Sequence, residues 1–346
     1  MEERAWVRSR LWALNELERL ITARGPLVDC HRHLASERTL TPELYAKVGD
    51  DRHLSAKWPL MDEIKKDVAY LDGLPDRLEH SLWHMASQGI GFCRTYAEVD
   101  SVVGLHVLEA MLEAKKRWQA KGLTLQIAAY PFRGVLDPKE RALAENALAS
   151  ADLLGCLPSR GRADVRDVKT NARNMALLFA IVHEQQKPID LQIDQDNDPE
   201  EIESVMLVEA AADMRELGYK AQITATHCTS LAAQHPDLQR NIASRMRSLN
   251  ISVVVCPTAA LSSQQKSDKL ASVHNSVAPV KILLSEGVTV GLGTDNVSDI
   301  YTHFNNGELK ESLRMLLTVI RWTGSLETAA DLITMNGRKI LGLPRA

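Results

Sequence analysis

Short apolar segments and longer amphipathic segments alternate along this chain. The apolar segments are about seven residues long and nearly continuous, the pattern of parallel strands that are buried on both faces. Amphipathic helices are predicted between them, for example over residues 104–118, 199–218 and 276–287. Eight apolar segments are present, and they begin at Pro26, Gly89, Leu123, Ala151, Pro188, Ala221, Ile251 and Thr289.

Eight strands alternating with helices predict a (β/α)8 TIM barrel. A doubly wound open sheet is the alternative, but no G-x-G-x-x-G follows the first strand and an open sheet has no reason to stop at eight strands. We therefore expect one barrel domain over residues 26–346 and an N-terminal helical extension over residues 1–25.

The predicted N-terminal helix carries one apolar stripe. Such a stripe either packs on the helix's own barrel or pairs with a second subunit in a homo-oligomer. The stripe recurs at three- and four-residue spacing and consists of Val7, Leu11, Leu14, Leu17 and Ile21.

Charge and cysteine content narrow the class of partner. Lys and Arg number 41 against 45 Asp and Glu, and no basic run alternates with aromatic residues, which argues against nucleic acid. No apolar run is long enough to span a membrane, and charges occur throughout the N-terminal segment, so we expect a cytoplasmic protein. The five cysteines form no C-x-x-C pair, which argues against a disulfide framework and for buried thiols in strands.

Active sites of such barrels lie at the carboxyl ends of the strands, so polar residues there are candidates for chemistry. Barrel strands have no structural need for so many polar side chains at one rim. The candidates are His31, His33, Arg94, Tyr96, Phe132, Gln192, Asp194, Gln195, His227, Asp295 and Asn296.

His31 and His33 end the first strand, where alternation places both imidazoles on one side and Arg32 on the other. Asp295 ends the eighth strand, which neighbours the first in a closed barrel. Two histidines and one carboxylate suit one Zn²⁺ or Fe²⁺ ion, with positions left for water and substrate. Asp295 can also accept the proton of a bound water, whose pKa the cation lowers.

His227 ends the sixth strand on the same rim. Its imidazole can polarise a carbonyl or imine that is being attacked, or it can serve as a further metal ligand. Both roles stay open from the sequence.

Four motifs together resemble the amidohydrolase superfamily, and most closely its branch of cytosine deaminase and N-isopropylammelide isopropyl amidohydrolase. They are H-x-H at residues 31–33, R-T-x-x-x-V-D at 94–100, T-H-C-T at 226–229 and G-T-D-N at 293–296, within a similarity that covers about residues 27–343. The resemblance implies a barrel with one metal ion held by the H-x-H pair, a fifth-strand histidine and Asp295. It also implies that His227 assists at the attacking water.

This chain departs from the family pattern at the fifth strand. The family has a histidine there, followed three residues later by a proton-transferring glutamate, whereas this chain has Gln192 and Gln195. An amide hydrogen-bonds but cannot act as a general acid, and it is a poorer zinc ligand than imidazole. His227 is expected to complete the ligand set instead.

Further departures concern the substrate and the domain content. Phe132 stands where cytosine deaminases carry a base-recognising glutamine, and Asn296 replaces an aspartate, which favours a substrate other than cytosine. The superfamily's usual β-sandwich is not expected, because the segment before Pro26 reads as a helix.

The leading hypothesis is a metal-dependent hydrolase, deaminase-like or amidase-like, that acts on a non-peptide C–N bond of a small nitrogen-rich or cyclic compound. Asp295 and His227 would be catalytic, and Gln192, Gln195, Asn296, Tyr96, Phe132 and Arg94 would orient the substrate. Two alternatives stay open: a non-hydrolytic cyclase, isomerase or lyase on the same barrel, and a catalytically inactive binding homologue.

Overall fold

A computed structural model describes residues 11–48, 53–162, 164–266 and 268–344. Eight strands pair in parallel in the order of the chain, and nearly every strand residue is buried. The predicted (β/α)8 barrel is confirmed. The strands are β1 (Leu27–Arg32), β2 (Ile90–Glu98), β3 (Thr124–Tyr130), β4 (Leu153–Cys156), β5 (Ile189–Ile193), β6 (Ile223–His227), β7 (Ile251–Val255) and β8 (Val290–Leu292).

Helices precede, connect and follow these strands. They are α1 (Trp12–Ala23), α2 (Pro42–Val48), α3 (Leu54–Lys66), α4 (Val68–Asp72), α5 (Leu74–Ser87), α6 (His106–Gln119), α7 (Pro138–Ser150), α8 (Val168–Gln185), α9 (Glu203–Glu216), a 3₁₀ turn (Ser230–Ala233), α10 (Pro236–Ser248), α11 (Pro257–Ser262), α12 (Val280–Ser285), α13 (Leu309–Val319), α14 (Leu326–Asp331) and α15 (Met335–Ile340).

The three helices predicted by residue range exist, with shifted ends. Helix α6 lies within two residues of its predicted bounds, and α9 begins four residues late. The predicted helix 276–287 is reduced to α12, because Pro279 sits at its N-cap and disfavours helical backbone at the residue before it. Between β1 and β2 the chain forms four helices, α2 to α5.

The barrel closes between β8 and β1 over a short stretch. The amide of Asp295 donates to the carbonyl of His31 at 2.8 Å, and Arg32 and Asp295 form a parallel bridge. Deeper in the barrel, the backbone after α14 bridges the two strands: the amides of Val28 and Leu292 donate to the carbonyls of Ile333 and Leu332. The C-terminal segment is therefore part of the barrel wall.

Helix α1 packs on its own barrel through Leu17, Leu20 and Ile21, next to α14. Leu11 and Leu14, also predicted for the stripe, are about half exposed, while Val7 lies outside the described residues. The packing on the barrel accounts for Leu17 and Ile21 of the predicted stripe. Pairing with a second subunit through the exposed part of the stripe, Leu11 and Leu14, stays a prediction.

All five cysteines are buried and free, as the sequence predicts. Across residues 11–48, 53–162, 164–266 and 268–344, no helix is long and apolar enough to cross a bilayer.

Replacement of Gly293 by Ala should open the barrel at its seam. A β-carbon at this residue would lie 2.5 Å from the Cβ atom and 2.7 Å from the carbonyl oxygen of His31, so backbone must move. We expect a loss of roughly 2 kcal/mol or more in the free energy of unfolding, measured by urea denaturation. The control is Gly122→Ala, where nothing lies within 4 Å and only the strain of a φ of +90° adds ~1 kcal/mol. Equal losses in the two variants would contradict the tight seam.

Candidate metal centre and pocket

Three strand ends bring His31, His33, His227 and Asp295 together at the mouth of the barrel. His31 lies in β1, His33 directly follows β1, Asp295 forms the seam bridge with Arg32, and His227 is the last residue of β6. His227 and Asp295 have φ values of +77° and +64°, a left-handed backbone that is rare for side-chain-bearing residues. Such strain is retained where the surrounding structure fixes it, which is common at functional sites.

The imidazoles of His31, His33 and His227 converge on the carboxylate of Asp295. Its Oδ1 lies 3.6 Å from Nε2 of His31 and 3.6 Å from Nε2 of His33, and its Oδ2 lies 3.8 Å from Nδ1 of His227. The Nε2 atoms of His31 and His33 are 3.2 Å apart. Within the described part of the chain, His31, His227 and Asp295 form a group whose ligand atoms all lie within 4.8 Å of one another.

A hydrogen-bonded relay sets the orientation of His31. The Tyr96 hydroxyl donates to Oδ2 of Asp190 at 2.7 Å, so its oxygen is left to accept from Nδ1 of His31, also at 2.7 Å. His31 then carries its proton on Nδ1 and turns the lone pair of Nε2 toward Asp295. A histidine ligand with its other nitrogen hydrogen-bonded in this way is the usual arrangement at metal sites.

Protonation states in the cluster are those that metal ligands need. Burial, assisted by the neighbouring His31, lowers the pKa of His33 to about 3. Burial lowers the pKa of His227 to about 4. Although burial alone would raise the pKa of Asp295, the surrounding imidazoles hold it below its usual range. At neutral pH His33 and His227 are therefore neutral imidazoles beside the carboxylate of Asp295.

A pocket opens above the cluster. His33, His227 and Asp295 belong to its lining, and so do four other residues singled out from the sequence: Phe132, Gln192, Gln195 and Asn296. The lining mixes aromatic rings with a few polar groups, as ligand pockets do. Further lining residues include Leu54, Lys57, Trp58, Met61, Glu98, Tyr130, Leu157 and Tyr301.

The two fifth-strand glutamines differ in how they are held. Gln192 is buried at 3% exposure, and among the residues that the structure describes no atom accepts from its Nε2. Gln195 donates to the carbonyl of Gln192 at 3.5 Å, a weak bond. A buried amide donor without an acceptor is costly, so Gln192 is arranged for a partner that comes from outside the protein.

Asn296 is held from two sides. Its Nδ2 donates to Oδ2 of Asp299 at 2.5 Å and to Oγ of Ser36 at 3.1 Å. Burial raises the pKa of Asp299 to about 6. Phe132 is flanked by two cations, with Nζ of Lys65 3.8 Å and the guanidinium of Arg160 4.7 Å from the ring centre.

Arg94 lies elsewhere than expected. Its guanidinium is fully buried inside the barrel, donating to Asp190 at 2.6 Å, to Thr224 and to the carbonyl of Ile340 in α15. It is absent from the pocket lining, so the structure does not support the prediction that it contacts substrate. Tyr96 also lies below the pocket, where it contacts His31 and Asp190.

Glu98 was overlooked in the sequence and does line the pocket. Strand β2 runs to Glu98, two residues beyond Tyr96 and four beyond Arg94. The side chains of residues 94, 96 and 98 point to the same face of the strand, and each step of two residues moves about 6.6 Å along it. The length of the apolar run could have revealed Glu98, because the last inward-facing residue of a strand is the one that reaches the rim of the barrel.

Comparison with known proteins gives the family. Residues 77–346 match the amidohydrolase family. The chain belongs to this family. The predicted class, hydrolases that act on C–N bonds other than peptide bonds, is confirmed at this level, and the family is generally metal-dependent.

Two relatives and one solved structure illustrate the similarity. The chain is 25% identical to N-isopropylammelide isopropyl amidohydrolase of Pseudomonas sp. over 94% of its own length and 77% of the relative. It is 24% identical to pterin deaminase of Rhizobium rhizogenes over 78% of its length but only 59% of that relative. The structure of 5-methylcytosine deaminase from Klebsiella pneumoniae superposes with a TM-score of 0.80 at 22% identity, covering 92% of this chain and 74% of that one.

Replacement of Tyr96 by Phe should weaken metal binding. The change removes the hydroxyl that fixes the His31 tautomer, and loss of such a partner typically costs ~10- to 100-fold in metal affinity. Zinc affinity would be measured by competition with a chromophoric chelator. Tyr130→Phe, which removes a hydroxyl from a pocket ring not bonded to Nδ1 of His31, is the control. An unchanged affinity in Tyr96→Phe would show that the relay does not orient His31.

Replacement of Arg94 by Met should destabilise the fold. It leaves Asp190 buried with only hydroxyl partners, and breaking a buried pair from one side costs ~3–5 kcal/mol. Urea denaturation measures this loss, with Lys115→Met as a control that breaks a partly exposed ion pair with Asp152 worth less than ~1 kcal/mol. A stable Arg94→Met variant with a raised KM would instead support the prediction from the sequence that Arg94 binds the substrate.

Proposed function

We propose that this protein is a metal-dependent hydrolase that releases ammonia or a small amine from a ring carbon of a nitrogen-rich heterocycle. The observation that carries the proposal is the convergence of His31, His33, His227 and Asp295 at a pocket lined by aromatic and amide side chains. Relatives named for deamination of pterin and for removal of the isopropyl amine of N-isopropylammelide support the substrate class.

The donor set fits one divalent cation. Ligand atoms about 2.1 Å from a tetrahedral ion lie about 3.4 Å from one another. The distances from Asp295 to the three imidazoles and between His31 and His33 run from 3.2 to 3.8 Å, and the ligand atoms of His31, His227 and Asp295 all lie within 4.8 Å of one another. Imidazole nitrogens with a carboxylate oxygen suit Zn²⁺ and Fe²⁺, and we propose one of these two ions. His227 would take the ligand position that a fifth-strand histidine has in relatives.

The chemistry divides between the cation and the protein. When bound, the cation supplies a Lewis acid that lowers the pKa of water toward neutrality. Asp295, kept anionic by the imidazoles, accepts a proton from the attacking water and delivers it to the departing nitrogen. Phe132 provides a flat apolar wall for a ring.

Amide side chains of the pocket provide hydrogen bonds to the ring edge. Gln192 offers a buried donor that has no acceptor in the described part of the chain, and Asn296 is oriented by Asp299 and Ser36. Donor and acceptor groups on neighbouring amides match the alternating nitrogen and carbonyl positions of aminopyrimidines, aminotriazines and pterins. Phe132 in place of the base-recognising glutamine and Asn296 in place of an aspartate favour a compound other than cytosine.

We also propose that the protein works in the cytoplasm. Five free, buried cysteines without a disulfide support a reducing compartment.

Purified protein supplied with zinc or iron(II) should bind about one equivalent of metal and release ammonia from pterin or guanine, or isopropylamine from N-isopropylammelide. Metal content is measured by plasma mass spectrometry and product by mass. Asp295→Asn and His31→Ala should lower both metal content and turnover, because each removes a donor atom of the centre, whereas Asp237→Asn on exposed α10 should change neither.

Other outcomes separate the alternatives. A product of unchanged mass indicates an isomerase or cyclase, and one that has lost a fragment without gaining water indicates a lyase. Stoichiometric metal without any turnover indicates a binding homologue. Full turnover in His31→Ala contradicts the metal mechanism.

A further inference from the structure

Glu98 is a buried carboxyl group in the wall of the substrate pocket. It is the last residue of β2, it is 4% exposed, and it shares the pocket lining with His33, Tyr130 and Phe132. No role for it follows from the metal centre, since none of the short contacts of Asp295 or the histidines involves it. A buried carboxyl group that reaches a ligand pocket needs an explanation.

The partners of Glu98 are unusually weak. Beyond its own residue, its only partner within hydrogen-bond distance in the described chain is the Tyr70 hydroxyl, which donates to Oε2 at 3.3 Å and to Oε1 at 3.4 Å. Three other buried carboxylates of the barrel have a direct cation: Glu37 pairs with Arg32, Asp100 with Lys65 and Asp190 with Arg94. Glu98 therefore keeps acceptor capacity for a ligand.

The groups around Glu98 leave it close to balance between its two protonation states. Lys65 is the nearest cation, but its Nζ is bonded to Asp100, whose own charge opposes that of Glu98. Burial, opposed by Lys65 and reinforced by Asp100, raises the pKa of Glu98 to about 7. The remaining titratable groups that face it are Arg77, Tyr70, Tyr130 and Tyr301.

The proposed reaction requires a proton at the ring nitrogen beside the attacked carbon. Addition of water to a C=N bond places negative charge on that nitrogen, and a positioned acid removes it. Gln195 stands where relatives of this type carry their acid and cannot supply a proton. Among the lining residues in the described chain, Glu98 and Asp295 are the only carboxyl groups, and Asp295 already takes the proton of the attacking water in the proposed reaction.

We propose that Glu98 is a catalytic acid that protonates a ring nitrogen of the substrate, in place of the acid that Gln195 replaces. This role rests on the hydrolase function proposed above. It also extends the substrate assignment, because it requires a ring nitrogen with a free lone pair next to the carbon that bears the amino group.

The proton balance closes without a further reactant. As the water oxygen bonds to the ring carbon, one water proton passes to Asp295 and neutral Glu98 gives its proton to the ring nitrogen. Asp295 then protonates the exocyclic amine, and the C–N bond breaks to release ammonia or the alkylamine. The remaining hydroxyl proton of the adduct returns to Glu98 as the C=O bond forms, so the product carries hydrogen on its ring nitrogen.

The test compares Glu98→Gln and Tyr70→Phe with the wild type, all loaded with zinc, on pterin, guanine, cytosine and N-isopropylammelide. Glu98→Gln keeps the shape but not the acid, so kcat/KM should fall ~100-fold or more at unchanged zinc content. The wild-type kcat/KM should decline as pH rises through about 7, because the acid must carry its proton. That decline should be absent in Glu98→Gln.

Tyr70→Phe tests the acid role directly, because its expected effect would not arise if Glu98 had only a structural role. The Tyr70 hydroxyl stabilises the anion of Glu98, so its loss should raise the pKa of Glu98 and move the decline in kcat/KM to higher pH. Glu140→Gln is the matched control, because Glu140 is a buried glutamate bonded to the Ser101 hydroxyl and outside the pocket lining. Its activity should equal that of the wild type.

A second readout needs no substrate. Infrared difference spectra of the metal-free protein across neutral pH should show the carbonyl band of a neutral carboxylic acid that titrates near pH 7 and is missing in Glu98→Gln. If Glu98→Gln does not fold, Tyr70→Phe decides the question, because its loss of the hydroxyl should move both the titration of the Glu98 infrared band and the decline in kcat/KM to higher pH.

The outcomes distinguish the two proposals. An active wild type with a fully active Glu98→Gln, or a Glu98→Gln that loses its zinc, overturns the acid role and leaves the hydrolase function standing. A zinc-loaded wild type that releases nothing from any of the four compounds contradicts the proposed function, and with it this role of Glu98.

Discussion

The hydrogen bond from the Asp295 amide to the His31 carbonyl holds together both the barrel and its chemistry. It closes the seam between β8 and β1, and it carries the carboxylate of Asp295 to within 3.6 Å of two imidazoles that the chain supplies more than 260 positions earlier. Because Gly293 has no side chain, the two backbones can approach closely enough to form this bond. The metal centre is thus a direct product of barrel closure, and weakening one weakens the other.

Inside the barrel, below that seam, buried charged side chains are paired with one another. Asp190 accepts hydrogen bonds from Arg94, Tyr96 and Thr226, and Tyr96 in turn accepts a hydrogen bond from His31. Buried ion pairs are seldom a large gain in stability over apolar packing, but they fix one arrangement among many. Here the arrangement that is fixed is the ring orientation of His31, so the polar core of the barrel orients a residue of the candidate metal centre above it.

Periodicity alone predicted the eight strands, because parallel strands buried on both faces leave a continuous apolar signal. The grouping of His31, His33, His227 and Asp295 followed from strand order, since a closed barrel makes its first and eighth strands neighbours. Depth within a strand was not predictable in the same way. Arg94 and Glu98 share a face of β2, but only the full length of the strand shows that Glu98 reaches the rim and Arg94 does not. Helix α3 contains Pro59 and α4 is only five residues long, so neither gives a clean periodic signal, and Trp58 and Tyr70 could not be placed near the pocket.

The five cysteines give the molecule a built-in measure of how it opens. All are buried, and burial raises the pKa of every one of their thiols, so neither access nor reactivity is available in the folded state. Cys30, Cys93, Cys156, Cys228 and Cys256 lie in or directly after five different strands of the barrel. The rate at which each thiol reacts with a labelling reagent therefore reports the separation of a particular part of the wall, and a common rate for all five would mean that the barrel opens as one cooperative unit.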